Sequence, residues 1–303
     1  MKRLLALLLL ALTAAVDASE KPRLVGYLPY GRAAALEVGR FPGLTDLMLF
    51  SGEPRADGSL DATRLDKTPW EKVTAVRASG TRVHLCLGGW GRSRHFAAVT
   101  ADPARRARFV AEVARYCAER GLDGVDLDWE HPRGAAELAA YGLLIDELKA
   151  AMAARKGEVT LTLASAGQLP PGGGRRADRV QLMAYDMPGR HATSEAAQAR
   201  VEALVAAGVP ADRLILGVPF YGRGVTERDR TLPYREILVR HAPRPEQDDA
   251  DGLHFNGPVT MARKAAWVRE RGLGGMMAWE LTQDAAGEAS MLQVLRRELD
   301  RAR

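Results

Sequence analysis

The 303-residue chain is 47% hydrophobic and 27% charged, which excludes a disordered polymer and leaves room for one large α/β barrel or two smaller domains. A formal charge of +5, two units of it from Lys2 and Arg3, is too small to imply a nucleic-acid partner, and the arginines are spread over Ala-rich helical stretches. Two cysteines, Cys86 and Cys117, exclude a scaffold built from disulfides.

In chain order, Lys2 and Arg3 are followed by an apolar run over residues 4–12 and by small residues up to Ser19, with Val16 and Ala18 at the −3 and −1 positions of a cleavage site. Residues 1–18 therefore read as a secretory signal peptide, and residues 19–303 as the mature chain, secreted or periplasmic. No run of about 20 apolar residues exists to form a membrane span. Short apolar or β-branched runs then recur at residues 24–27, 46–50, 83–87, 124–129, 159–164, 180–185, 214–218 and 275–279. Helical stretches separate most of them, at residues 70–78, 101–120, 135–154, 194–207 and 260–271. Eight alternations of strand and helix predict a single-domain (β/α)8 TIM barrel. A doubly wound open sheet is the alternative, but no Gly-x-Gly-x-x-Gly follows a strand to support a dinucleotide-binding version. Residues 170–174, Pro-Pro-Gly-Gly-Gly, read as the loop after the fifth strand. No linker or repeat divides the chain, and it is expected to act as a monomer without a cofactor.

Residues 123–130, Asp-Gly-Val-Asp-Leu-Asp-Trp-Glu, concentrate acid in an apolar segment. Side chains alternate along a strand, so Asp126, Asp128 and Glu130 project from one face and Val125, Leu127 and Trp129 from the other. In a barrel the acids would stack inside it, with Glu130 at the carboxyl end where active sites of this architecture lie. Like charges at that separation raise one another's pKa, so at least one acid should be protonated, and a Glu raised toward neutrality is what a general acid requires. Two other readings of the residues alone are a structural cluster paired with buried Arg and an oxygen-rich metal site with the adjacent His131.

This segment resembles the DxxDxDxE signature of the family 18 glycoside hydrolases, the chitinases and their relatives. Further segments are similar to the same family: Val25-Gly26-Tyr27 to its first strand, Leu85-Cys86-Leu87-Gly88-Gly89-Trp90 to its SxGG segment, and Met183-Ala184-Tyr185-Asp186 to its MxYD segment. Gly217-Val218-Pro219-Phe220-Tyr221-Gly222-Arg223 resembles its seventh strand, and Gly274-Gly275-Met276-Met277-Ala278-Trp279-Glu280 its eighth. The resemblance implies a retaining hydrolase of N-acetylglucosamine-containing glycans in which the substrate's own acetamido group is the nucleophile. It implies that Glu130 is the general acid, that Asp128 steadies the oxazolinium while sharing a proton with Asp126, and that Tyr185 donates to the acetamido group. Met183 would line that pocket, Trp279 would stack on the sugar, and Tyr27, Trp90, Asp186, Tyr221 and Arg223 would contact substrate; no metal is implied. An N-acetylglucosamine-binding lectin is the non-catalytic alternative, but such members lose the acid that Glu130 supplies here. Chitin, the N-glycan core and peptidoglycan all carry the required sugar.

Cys86 stands where the family has Ser, so a weak thiol donor faces Asp126, and His84 two residues earlier is expected either to replace that polar contact or to be a buried structural residue. Cys86 inside the barrel and Cys117 on an outer helix are expected to remain free thiols. Processive relatives insert a small α+β domain after the seventh strand; residues 224–259 read as loops too short for one, which predicts a shallow, endo-acting cleft.

Overall fold

The computed structural model describes residues 21–301, so the signal-peptide reading of residues 1–18 lies outside the described residues. Eight parallel strands close into a barrel: Arg23–Pro29, Asp46–Pro54, Arg82–Gly88, Gly124–Asp128, Glu158–Ala164, Arg179–Met183, Leu214–Pro219 and Gly275–Trp279. Each pairs with its neighbour in sequence, and the eighth pairs with the first, Leu24 opposite Met276. The expected barrel is therefore the observed one, with strand ends shifted by a few residues.

Alternation along the strands builds two separate cores. Val125 and Leu127 face outward into the apolar layer between strands and helices, where Trp129 stacks on Phe96 at 5.4 Å and meets Tyr141 edge-on at 5.1 Å. Inside the barrel lies a smaller cluster with Tyr27, Met48, Cys86, Tyr185, Ile215 and Met277, into which Asp126 and Asp128 project. Burial of the outer layer, at roughly 25 cal/mol per Å² of apolar surface, is what holds the polar interior closed.

Local chemistry sets the helix boundaries. Asp102 accepts hydrogen bonds from the backbone of Ala104 and Arg105, with Pro103 in the first turn and Gly121 left-handed at the end. The helix expected over residues 101–120 therefore begins at Pro103, and a short separate helix, Phe96–Ala101, precedes it. The terminal helix Met291–Leu299, packed on Pro258–Arg271, was not among the predicted elements.

The largest correction concerns residues 224–259. They are not merely loops: Thr231–Pro233, Asp249–Ala250 and Leu253–His254 join Tyr221–Gly224 in a four-stranded antiparallel sheet, with helix Tyr234–His241 beside it. Strands of two or three residues are too short for hydrophobic alternation to reveal, whereas the Pro and Gly between them stand out. This small sheet lies at the carboxyl end of the seventh strand and pairs His254 with Arg223.

Among the described residues no helix is long and apolar enough to cross a membrane. Both cysteines are buried and unpaired, as expected. Burial pushes the Cys117 thiol up to about 12 and the Cys86 thiol well above its ordinary range. Native protein should therefore leave an aromatic disulfide reagent unreacted at pH 8 and release two equivalents of chromophore on unfolding; rapid reaction of either thiol in the native state would contradict this packing.

Candidate active site

The fourth strand carries Asp126 at the level of Cys86 on the third strand and Thr160 on the fifth. Four side chains from three other strands converge on its carboxylate. The Tyr27 hydroxyl donates to Oδ2 at 2.7 Å, while Thr160 at 2.6 Å, Thr162 at 2.8 Å and the Gln181 amide at 3.0 Å donate to Oδ1. The Cys86 thiol also hydrogen-bonds Asp126. These donors satisfy the Asp126 oxygens.

One layer higher, Asp128 is 3% exposed, and its Oδ1 has no hydrogen-bond partner among the described residues. Burial, followed by the charges of Glu130 and Asp126, pushes its carboxyl well above the ordinary carboxylate range. Gly88 and Gly89 allow the third strand to approach this closely. Both have φ near +100°, the Gly89 N–H donates to the Asp128 carbonyl at 2.7 Å, and a Cβ on Gly88 would lie 2.3 Å from that carbonyl oxygen.

At the rim, the Glu130 N–H donates to Ser93 Oγ at 2.9 Å. Its carboxyl is raised to about 7, first by burial and then by the charge of Asp186, against a backbone N–H of Trp90 that lowers it. Asp186, left-handed at φ 61°, has the opposite balance. Burial raises it, but hydrogen bonds from His191 and from Tyr221 (2.5 Å), with the Arg223 guanidinium at 2.9 Å, hold it below the ordinary carboxylate range. A protonatable acid thus sits beside a fixed negative charge.

Two cavities meet at Asp186 and Arg223. One, of about 740 Å³, is lined by Trp90, Glu130, His131, Gln168, Met183 and Tyr185. The other, of about 340 Å³, is lined by Tyr221, Trp279, Thr231 and Gln283. Trp279 is half-buried, with the edge of Phe50 at 4.8 Å and Tyr27 at 5.5 Å behind it. Trp90 stands 79% exposed on the far side of Glu130, its ring 6.5 Å from His131. Non-proline cis peptides follow Phe50, Glu130 and Trp279.

The family model of glycosyl hydrolases family 18 matches residues 43–284, most of the chain. The chain belongs to glycosyl hydrolases family 18. It is similar to Chitinase 1 of Aphanocladium album, 26% identical over 274 residues that cover 70% of this chain and 64% of that one. Chitotriosidase-1 of Mus musculus is 25% identical over 315 residues, covering 78% and 67%. The GH18 chitinase ChiB from the chitin utilization locus of Flavobacterium johnsoniae superposes with a TM-score of 0.82 at 26% identity, covering 92% and 94% of the two chains. The chain spans less than two thirds of the length of Chitinase 1.

Against the family 18 expectations, the structure brings Asp126, Asp128, Glu130, Met183, Tyr185, Asp186, Tyr221, Arg223 and Trp279 together, with Trp90 on the flank. Tyr27 differs. It is 1% exposed beneath Trp279 with its hydroxyl on Asp126, so it holds that acid instead of reaching the cleft surface. His84 does not stand in for the missing Ser either: two residues along a strand is about 7 Å, and its Nε2 bonds Asp46 at 3.0 Å near the amino end of the barrel. Asp46, His84 and Glu158 are close enough to suggest a metal site, but Arg23 and Arg82 against Asp46, and Arg82 and Arg179 against Glu158, already supply the positive charge.

Sequence reasoning missed Thr160, Thr162, Gln181, Phe50 and His191. Thr160 and Thr162 at spacing two, and Gln181 inside Val-Gln-Leu-Met, are polar residues on apolar strands, and that was the available signal. The Tyr27→Phe substitution should lower the free energy of unfolding by about 1–3 kcal/mol, because a buried carboxylate loses a donor. Urea titration measures it; an unchanged midpoint would mean that the hydroxyl does not hold Asp126.

Proposed function

We propose that the protein is a secreted or periplasmic glycoside hydrolase that cleaves β-1,4 linkages next to N-acetylglucosamine in chitin-type glycans, with retention and by substrate assistance. The observation that carries this reading is Glu130, raised to about 7 on the wall of the cavity of about 740 Å³ and directly above the buried Asp128, whose carboxyl is raised as well. The names of its relatives support chitin as the glycan. Export rests on the charged, apolar and small-residue pattern of residues 1–18.

In this mechanism the sugar whose bond is broken lies over Trp279, its apolar face on the indole, and the leaving sugar extends toward Trp90. Its acetamido group reaches down between Asp128 and Tyr185. Among the described residues the Tyr185 hydroxyl has only the Met277 sulfur at 3.8 Å as a partner and is free to donate to the acetamido oxygen, while the open Oδ1 of Asp128 accepts the N–H. The acetamido oxygen attacks the anomeric carbon as Glu130 gives its proton to the glycosidic oxygen, forming an oxazolinium and a free sugar end. Glu130, now a carboxylate, takes a proton from water, which attacks the same carbon from the vacated face. Two inversions give net retention.

Two cavities that meet at Asp186 and Arg223 let a glycan chain run past Glu130 to Trp279, which supports endo action even though the small sheet raises one wall of the cleft. The lectin alternative leaves the raised pKa of Glu130 without a use.

A general acid must be protonated to act. The kcat/KM should therefore be highest below pH about 7 and fall tenfold per unit above it, following the pKa to which Glu130 is raised. Glu130→Gln should lower kcat by roughly 10²–10⁴-fold with unchanged circular dichroism. Proton NMR of early products from an N-acetylglucosamine hexamer should show the β-anomer first, and EDTA should leave the rate unaltered. Early α-anomer would contradict substrate assistance, and inhibition by EDTA would revive the metal reading.

A further inference from the structure

Behind the cleft, on the side away from Asp128, lies a buried pair of histidines that the mechanism above does not use. His191, fully buried five residues after Asp186, places Nδ1 3.4 Å from the Asp186 backbone N–H and 3.6 Å from its Oδ1. The ring lies 5.2 Å from that of Tyr221, which bonds the same carboxylate. His254, on the small inserted sheet, packs edge-on against it at 5.7 Å and directs its own Nδ1 to Asp249 at 3.4 Å. Neither Nε2 has a hydrogen-bond partner among the described residues.

The backbone around His191 is held as firmly as its ring. The Ala192 carbonyl accepts from Asn256 at 2.9 Å and from Lys264 at 2.8 Å, and the His191 carbonyl accepts the Met187 N–H at 3.2 Å. Lys264 is almost fully buried. Among the described residues the titratable and charged groups around the ring are Asp186 and Arg190 on its own loop, Tyr221 and Arg223 beyond the seventh strand, His254 and Asp249 on the inserted sheet with Asp248 just before it, and Lys264 on the helix beneath with Glu195 acting on it. Arg190 closes the set by pairing with Asp249 at 2.9 Å.

From this arrangement we infer that His191 is a positioning residue for the catalytic acid: its Nδ1 fixes the backbone and carboxylate of Asp186 beside Glu130, and His254 backs the ring from the inserted sheet. The inference rests on the proposed hydrolase reading and adds a residue that no sequence motif marks. A neutral ring accepts the Asp186 N–H on Nδ1, and a protonated ring donates from Nδ1 to Oδ1, so Asp186 keeps a partner on that side in either state. Displacing the carboxylate removes a charge that acts on Glu130 and also loosens Arg223 and Tyr221.

Two isosteric substitutions separate this role from packing. His191→Asn keeps a polar atom where Nδ1 lies, and His191→Gln keeps one where Nε2 lies. The test is the pH profile of kcat and KM on a chromogenic aryl glycoside of the N-acetylglucosamine disaccharide, with thermal unfolding of the same samples. The inference predicts that His191→Gln lowers kcat about tenfold with KM within about twofold, and moves the acidic limb upward by about half a unit or more as Asp186 loses a hydrogen bond. His191→Asn should restore most of the rate and the wild-type limb at a similar melting temperature. Equal losses in the two variants, or profiles of unchanged shape, would overturn the inference while leaving the hydrolase reading intact. A wild-type protein that releases no product from this glycoside or from the hexamer would overturn the hydrolase reading itself, and the inference with it.

Discussion

Everything in the site follows from placing three carboxyl groups in one column inside a closed barrel. The two-residue repeat of the fourth strand puts Asp126, Asp128 and Glu130 on the same face, and the barrel leaves them no direct route to water below the rim. Each level resolves the electrostatic conflict differently. At the bottom, five hydrogen-bonding side chains surround Asp126; in the middle, Asp128 has its carboxyl raised by burial and one oxygen open; at the top, Glu130 is poised near neutral pH. The gradient from satisfied to poised runs along about 14 Å of strand.

The same constraint explains why the surroundings are built as they are. Burial and then a second negative charge keep Glu130 protonated above its ordinary range, and Asp186 carries that charge because Tyr221, Arg223 and His191 hold it there. Trp279 and Trp90 then mark the two directions a glycan takes away from the acid, one half-buried against Phe50 and Tyr27, the other almost free. The small antiparallel sheet is more than a wall of the cleft, because its pairing of His254 with Arg223 ties it to the residues that bind Asp186.

Much of this was legible in the sequence because the signals are local. Eight short apolar runs separated by helical stretches specify the barrel, and the acid column is a pattern of alternation within one strand. Tyr185, Asp186, Tyr221 and Trp279 sit at strand ends inside recognisable segments. What the sequence did not show depends on contacts between distant strands. Thr160, Thr162 and Gln181 meet Asp126 only once the fifth and sixth strands are laid beside the fourth. Tyr27 was assigned to the sugar because its segment was recognised but its depth was not. The inserted sheet escaped notice because its strands are shorter than one period of any detectable pattern, and His191 because its partner is a backbone amide.

The central claim is that burial at the top of the acid column, together with the charge of Asp186, keeps Glu130 protonated up to near neutral pH in the free protein. Carbon-13 NMR of protein labelled at the glutamate carboxyl, with the Glu130 resonance assigned from its loss in Glu130→Gln, measures that directly. The account predicts a titration midpoint near pH 7 for this one resonance. A midpoint near the ordinary glutamate value of about 4.3 would contradict it.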